Sequence, residues 1–311
     1  MEYSQLNIDL MATKINIKLI HKNADLILEN CRKLLFYYNH MFSFYDPNSQ
    51  LSQINKAAGL FELQLSKELY YLINIGKYYS LQKNSSLNIC MGPLVDLWNI
   101  GKEGTKVPKQ ADIAYLLPLC NAEYIQLDPI NQSCFLKYKN MSIDLGSLAK
   151  GFIADKLRQY LQSQKVRSAL INLGGNIITI GKNYNRTDGN WIIGLQDPAQ
   201  KRGSHSMLLK INDLAITTSG IYERYMILEN KKYHHILSPK TGYPIETDMT
   251  SLTIISKNAT DGEVWSSYLY GRNFKEISSI CENNNIMAIA QYINGEIHFT
   301  NGVEKYVSRR K

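Results

Sequence analysis

Between Ile27 and Phe42 the apolar residues Ile27, Cys31, Leu34, Tyr38 and Phe42 return at the spacing that puts side chains on one face of an α-helix. The pattern predicts a helix there, with Asn23 or Asp25 available to cap its start and Pro47 marking its far boundary. A second helical stretch is expected from Ser66 to Leu81, followed by an irregular, turn-rich segment from Asn84 to Pro108. Ser142 to Asp144 reads as the end of a strand. Gly146 then supplies a turn, and Ala149, Ile153, Leu157 and Tyr160 form the next helical face. From Ser168 onward short β-type runs dominate, at 168–173, 177–180, 191–195, 208–211, 225–228, 233–237 and 252–255. Helices near 263–270 and 274–282 and two closing strands complete the pattern. Helices and strands mix without a regular βαβ alternation, which favours an α+β fold over a doubly wound sheet. No repeat or linker interrupts the chain, so residues 1–311 are expected to form a single large domain.

Composition changes this picture little. A hydrophobic share of 44% and a charged share of 20% suit a globular protein with a full core. Only Arg309, Arg310 and Lys311 read as a loose tail. The net charge of +8 points to an anionic partner. The lysines are scattered rather than interleaved with aromatics, so nucleic acid is not expected; a phosphorylated small molecule needs only a few well-placed cations. Five cysteines, odd in number and without a C-x-x-C pair, argue against a zinc site or a disulfide framework and fit a reducing compartment. Residues 1–10 carry two acids, Glu2 and Asp9, and no basic run, and no apolar stretch is long enough to cross a bilayer. The sequence as given therefore reads as cytoplasmic.

Four segments carry candidate chemistry. Lys150 stands in the first turn of its predicted helix, where the macrodipole disfavours a cation, and Gly151 beside it weakens the helix further. An anion held by helix amides and the lysine explains both; so does a solvated lysine beside a glycine needed for close packing. Asn172-Leu173-Gly174-Gly175-Asn176 is a tight turn or a backbone that approaches a ligand. The hydroxyls of Thr217, Thr218 and Ser219 are ordinary edge-strand groups or donors to phosphate oxygens. His234 and His235 must face opposite sides of a strand, so only one of them can enter a given site, and either can equally be structural.

Their wording and order are more specific than any one of them. Ile-Asp-Leu-Gly-Ser-Leu-Ala-Lys-Gly-Phe-Ile-Ala-Asp (143–155), Ile-Asn-Leu-Gly-Gly-Asn (171–176), Thr-Thr-Ser-Gly-Ile-Tyr (217–222) and His-Ile-Leu-Ser-Pro-Lys-Thr-Gly-Tyr-Pro (235–244) occur in sequence. They follow Leu-Met-Ala-Thr (10–13), Ser-Gln-Leu-Ser-Gln-Ile-Asn (49–55) and Gly-Pro-Leu-Val-Asp-Leu-Trp (92–98). From about Met11 to Tyr292 the chain resembles the ApbE-type FAD:protein FMN transferases. That resemblance implies their α+β fold of mixed or antiparallel sheets and packed helices. It also implies their reaction, in which FAD is cleaved, FMN is joined through a phosphoester to a threonine or serine of a target flavoprotein, and AMP is released.

Carried over position by position, the resemblance implies FAD contacts from Met11, Tyr45, Ser86, Leu87, Asn88, Asp144, Lys150 and Leu237, with Tyr45 part of the surface on which the flavin stacks. It implies a Mg²⁺ held by the carbonyl of Ser147 and by Glu263 and Ser267. The last two stand where the family usually has aspartate and, four residues on, threonine. Carboxylate and hydroxyl remain one helical turn apart, and Asp261 is a competing acid. Mg²⁺ and Lys150 would offset charge on the diphosphate, and His235, with a pKa expected near working pH, would take the acceptor's proton.

Overall fold

A computed structural model describes residues 2–229 and 231–310. The chain opens with a hairpin, β1 (Ser4–Leu10) and β2 (Thr13–Leu19), then α1 (Ala24–Phe42), α2 (Gln50–Lys56), β3 (Leu63–Gln64), α3 (Lys67–Ser80), α4 (Gly92–Trp98) and α5 (Gln110–Leu116). Strands β4 (Ile125–Asp128) and β5 (Ser133–Leu136) precede α6 (Ala149–Ser163). Next come β6 (Ala169–Leu173), β7 (Asn176–Ile180), β8 (Trp191–Gln196), β9 (His205–Ile211), β10 (Ala215–Gly220), and the hairpin of β11 (Tyr225–Leu228) and β12 (Lys231–His234). The chain closes with β13 (Met249–Ser256), α7 (Ala259–Tyr268), α8 (Phe274–Asn283), β14 (Met287–Tyr292), β15 (Ile297–Phe299) and β16 (Val307–Arg310).

The organising element is an eight-stranded sheet in the order β1-β2-β6-β7-β10-β13-β14-β15, with every neighbouring pair antiparallel. The α+β reading therefore holds. One face of the sheet is covered by helices: α6 packs on β6 and β7, α7 on β10 and β13, and α8 on β14. The small sheet β16-β9-β8 covers part of the other face, where Trp191, Ile193 and Leu209 meet Ile216 and Ile255. With both faces covered, β13 is buried along its whole length and reads as an apolar-and-hydroxyl run rather than an alternating one.

Several local expectations are revised. Residues 142–144 form no strand, because the N–H and C=O of Ile143 bond to the Asn55 side chain instead of a neighbouring strand. The turn-rich segment 84–108 contains α4, whose Gly92-Pro93 start looks like a turn in sequence yet suits the first turn of a helix. Asn23 holds the cap position of α1 without a side-chain bond. The strand expected at 233–237 ends at His234. β10 lies between β7 and β13 rather than at an edge. Arg309 and Arg310 belong to β16, paired with β9, and not to a tail; Lys311 lies outside the described residues.

Two two-residue turns sit side by side at one end of the large sheet. Met11 and Ala12 join β1 to β2 with φ of 55° and 54°, in the left-handed region that such hairpins require but that L side chains resist. Gly174 and Gly175 join β6 to β7 with φ of 66° and 100°. A Cβ on Gly174 would run into the Thr13 side chain, 2.7 Å from its Cγ2, so the paired glycines serve both the turn and the close approach of the two hairpins.

The contact between α6 and α7 is equally tight. A Cβ on Gly151 would meet the carbonyl oxygen of Ala259 and stand 2.6 Å from Cγ of Glu263. One turn further along α6, Asp155 accepts the N–H groups of Ala259 (3.0 Å) and Thr260 (2.8 Å) and the Thr260 hydroxyl (2.7 Å). It thus caps α7 from a different helix, satisfying amides that α7 itself cannot. Arg158, at 2.9 Å, balances the Asp155 charge and donates to Asn258, the residue before α7. Gly151, Asp155 and Arg158 follow each other at helical spacing, so one face of α6 grips the start of α7. Gly151→Ala is expected to force the helices apart and lower stability by about 2 kcal/mol in urea titration, against the gain that alanine normally brings inside a helix; an unchanged or raised midpoint would show that the contact is slack.

Candidate active site

A cavity of about 720 Å³ opens where the two hairpin tips, the start of α6, the middle of α7 and the segment after β12 converge. Its volume is that of a small-molecule site. Met11, Ala12 and Thr13 line it from one hairpin, Gly174, Gly175 and Asn176 from the other, and Thr218, Ser219 and Gly220 from the end of β10.

Its most buried charge is Glu263, 4% exposed, on α7. The carboxylate receives the Lys150 ammonium at 3.2 Å and the Asn176 amide at 2.5 Å. Lys150 also reaches the Gly146 carbonyl at 3.4 Å. Ser267, one turn beyond Glu263, and Ser147, in the turn before α6, line the same cavity. Asp144 accepts the Gly146 N–H at 2.7 Å; burial raises its pKa, opposed by that hydrogen bond and by Arg224, Lys150 and Lys102. Among the described residues no three His, Cys, Asp or Glu side chains gather into a metal-binding group, so an ion here would also draw on hydroxyl or carbonyl oxygens. Glu263, Ser267 and the carbonyl of Ser147 are such a set of hard oxygen donors.

His235, just past the end of β12, faces the cavity, and His234 turns away from it. His234 is buried against the Ile245 carbonyl, 3.0 Å from Nε2. His235 places Nδ1 3.1 Å from the Arg224 carbonyl, which assigns the proton to Nδ1 and leaves the lone pair on Nε2. Burial, assisted by the nearby cations Arg224 and Lys150, pushes the His235 pKa down to about 3. The imidazole is therefore neutral throughout the ordinary pH range.

A model of the ApbE family matches residues 11–290. The chain belongs to the ApbE family. It is 38% identical over 262 residues, 84% of this chain and 80% of the relative, to a FAD:protein FMN transferase of Klebsiella pneumoniae. It is 30% identical over 247 residues, 76% and 68% of the respective chains, to one from Treponema pallidum. The fold matches the ApbE protein of Thermotoga maritima with a TM-score of 0.89 at 25% identity, covering 99% and 100% of the two chains. The flavin transferase ApbE of Vibrio cholerae shares the fold at a TM-score of 0.85 and 23% identity, over 98% of this chain and 99% of that one.

All the positions carried over from the ApbE resemblance border the one cavity: Met11, Tyr45, Ser86, Leu87, Asn88, Asp144, Ser147, Lys150, His235, Leu237, Glu263 and Ser267. Asp261 does not; it is exposed and binds the Asn258 amide at 3.0 Å. The side chains of Ser86 and Asn88 are already engaged, Ser86 donating to the Tyr270 carbonyl and Asn88 bonding to Cys120 O and Cys90 N, and the Ser86 N–H is bonded to the Tyr268 carbonyl. Tyr45 stands at the mouth, 53% exposed, with the Lys102 ammonium over its ring at 2.9 Å from the centroid. The hydroxyls of Thr218 and Ser219 bond to Thr253 and Ser266, which leaves them poorer phosphate donors than their run in sequence suggested. Buried Thr217 has no hydrogen-bond partner for its hydroxyl and packs against Gly262.

Sequence reasoning overlooked Asn176, Asp155 and three further cations of the cavity wall, Lys102, Arg202 and Arg224. Asn176 and Asp155 each close a motif singled out for other residues. The three cations come from loops with no pattern of their own. The expected His235 pKa near neutrality is also corrected, since an imidazole enclosed beside cations resists protonation.

The low pKa of His235 has a measurable cost. An unfolded histidine binds a proton below pH about 6.5 while the native imidazole refuses it, so this group supports the native state at higher pH and withdraws that support as pH falls towards about 3. Melting temperatures of wild type and His235→Asn, without substrate, should therefore diverge between pH about 7.5 and 4.5, the wild type falling more steeply. Parallel curves would mean that the imidazole is not held neutral.

Proposed function

We propose that this chain is a Mg²⁺-dependent FAD:protein FMN transferase, a single flavin transferase domain acting on a threonine or serine of an acceptor flavoprotein. The observation that carries the reading is the convergence of Lys150, Glu263, Ser267 and His235, drawn from four separate motif positions, on one cavity. The names of the relatives from Klebsiella pneumoniae and Treponema pallidum point the same way. Glu263, Ser267 and the Ser147 carbonyl would hold the metal, which when bound would neutralise the diphosphate and the departing AMP.

The chain's own residues would do the rest. Met11, Leu237 and Tyr45 would flank the flavin, once the Lys102 ammonium has left the Tyr45 ring. Lys150, at the start of α6, would bind the diphosphate together with helix amides. The acceptor hydroxyl would attack the phosphorus on the FMN side, the bond from that phosphorus to the bridging oxygen would break, and AMP would leave with that oxygen. His235 Nε2, already bearing a lone pair, would take the hydroxyl proton. Its low pKa without substrate is a consequence of burial and neighbouring cations; phosphate anions offset the cations and make the base stronger when it is needed. Free, buried cysteines support a reducing, cytoplasmic setting, and among the described residues no helix is long and apolar enough to cross a membrane.

Incubation with FAD, Mg²⁺ and a purified acceptor flavoprotein tests the reading by intact mass. FMN covalently added to the acceptor supports it; release of FMN and AMP alone would make the chain an FAD pyrophosphatase, and intact FAD would make it a binding protein. Glu263→Gln should lower transfer by a factor on the order of 10²–10³ with the circular dichroism spectrum unchanged, whereas Asp261→Asn should retain wild-type transfer. The reverse pattern would move the carboxylate ligand to Asp261.

A further inference from the structure

Glu263 carries its charge where water scarcely reaches, its side chain 5% exposed. A buried carboxylate needs a counter-charge, and here the Lys150 ammonium supplies it. Lys150 gains nothing from its own helix, whose N-terminal end repels a cation. Its side chain is 26% exposed and borders the cavity, so the ammonium can swing towards a ligand without unfolding anything. Gly151 and the Asp155 cap leave Glu263 no such freedom, since they pin its helix against α6.

The charges then decide who may stay. A divalent ion on Glu263 beside Lys150 would set three positive charges against one negative, in a cavity that Lys102, Arg202 and Arg224 already make positive. Of the other two carboxylates of the wall, Asp144 already faces Arg224 and Lys102 as well as Lys150, and Glu223 stands exposed beside Arg224. A diphosphate brings the two negative charges that restore balance and gives the ammonium another anion to bind. We propose that Lys150 is an internal substitute for the metal: it neutralises Glu263 until dinucleotide phosphates draw it away, so that the carboxylate takes a divalent ion only when the dinucleotide is present. The inference rests on the metal and FAD reading of the site and adds to it that binding of the two is coupled through one lysine.

Direct metal binding tests this without turnover. Mn²⁺ alone, followed by electron paramagnetic resonance of the free ion, should bind wild type weakly. Lys150→Met should bind Mn²⁺ alone about tenfold more tightly or better, because the carboxylate keeps only the neutral Asn176 amide, its charge is no longer offset by the ammonium, and the fraction of competent protein rises. Lys150→Gln, which keeps a hydrogen-bond donor without the charge, should do the same and stands in if the methionine variant does not fold. Lys150→Arg should stay with wild type. FAD should strengthen Mn²⁺ binding to wild type by a larger factor than to either neutral variant. Equal or weaker Mn²⁺ binding by folded neutral variants overturns the exchange. Glu263→Gln separates the two levels: if wild type with FAD shows no Mn²⁺ binding that this substitution removes, the metal reading itself fails, whereas Glu263-dependent binding that ignores Lys150 overturns only the exchange.

Discussion

Two helices approach each other here more closely than any side chain but hydrogen allows, and the site is built on that approach. Gly151 lets the backbone of α6 touch α7 at Ala259 and Glu263, and Asp155 ties down the first amides of α7. The geometry brings a lysine at the start of one helix to a buried carboxylate on the next, at 3.2 Å. Helix ends normally take their caps from the residues beside them; here the cap comes from more than a hundred residues earlier in the chain. The register of α7, and with it the direction of Glu263 and Ser267, is therefore set by α6 rather than by α7's own sequence.

The rest of the cavity follows the same logic of rigid backbone presenting few polar groups. Two hairpin tips in left-handed conformations form one wall, and the Arg224 carbonyl fixes which nitrogen of His235 keeps its proton. Strand β10 contributes hydroxyls that are mostly spent on holding β13 and α7. The cations differ: Lys102, Arg202 and Arg224 stand on loops and are exposed, so anion attraction is delegated to loop side chains around a floor of packed elements.

Much of this was legible in the sequence where local signals and long-range contacts agree. Helices α1 and α3 carry clean helical spacing, and most strands after Ser168 carry apolar runs, so these emerge from the pattern within a few residues, whereas β10, with its run of hydroxyls, does not. The Lys150-Gly151 pair announced a conflict with helix physics, but the sequence left two explanations open; the structure shows the close packing at Gly151 and pairs the lysine with a carboxylate of the protein itself. The partner is Glu263, which no local rule could name. Hairpin β1–β2 alternates apolar residues plainly, yet its turn is Met-Ala rather than Asn-Gly, so the usual hairpin signal is missing. Helix α4 hides behind Gly92-Pro93 for the opposite reason, since a turn signal is present where the chain turns into a helix. The depressed pKa of His235 was beyond reach, because it depends on what encloses the ring rather than on which residue flanks it.

Sheet order carries a consequence for biosynthesis. The cavity is walled by residues from Met11 to Tyr270, and β7 meets its neighbour β10 only after β8 and β9 have been made. A chain still emerging from the ribosome can pair β1, β2, β6 and β7, but until α7 is extruded Lys150 lacks its carboxylate and Asp155 has no amides to receive. The cavity floor is thus incomplete for most of the synthesis and is finished late, when α7 docks on α6.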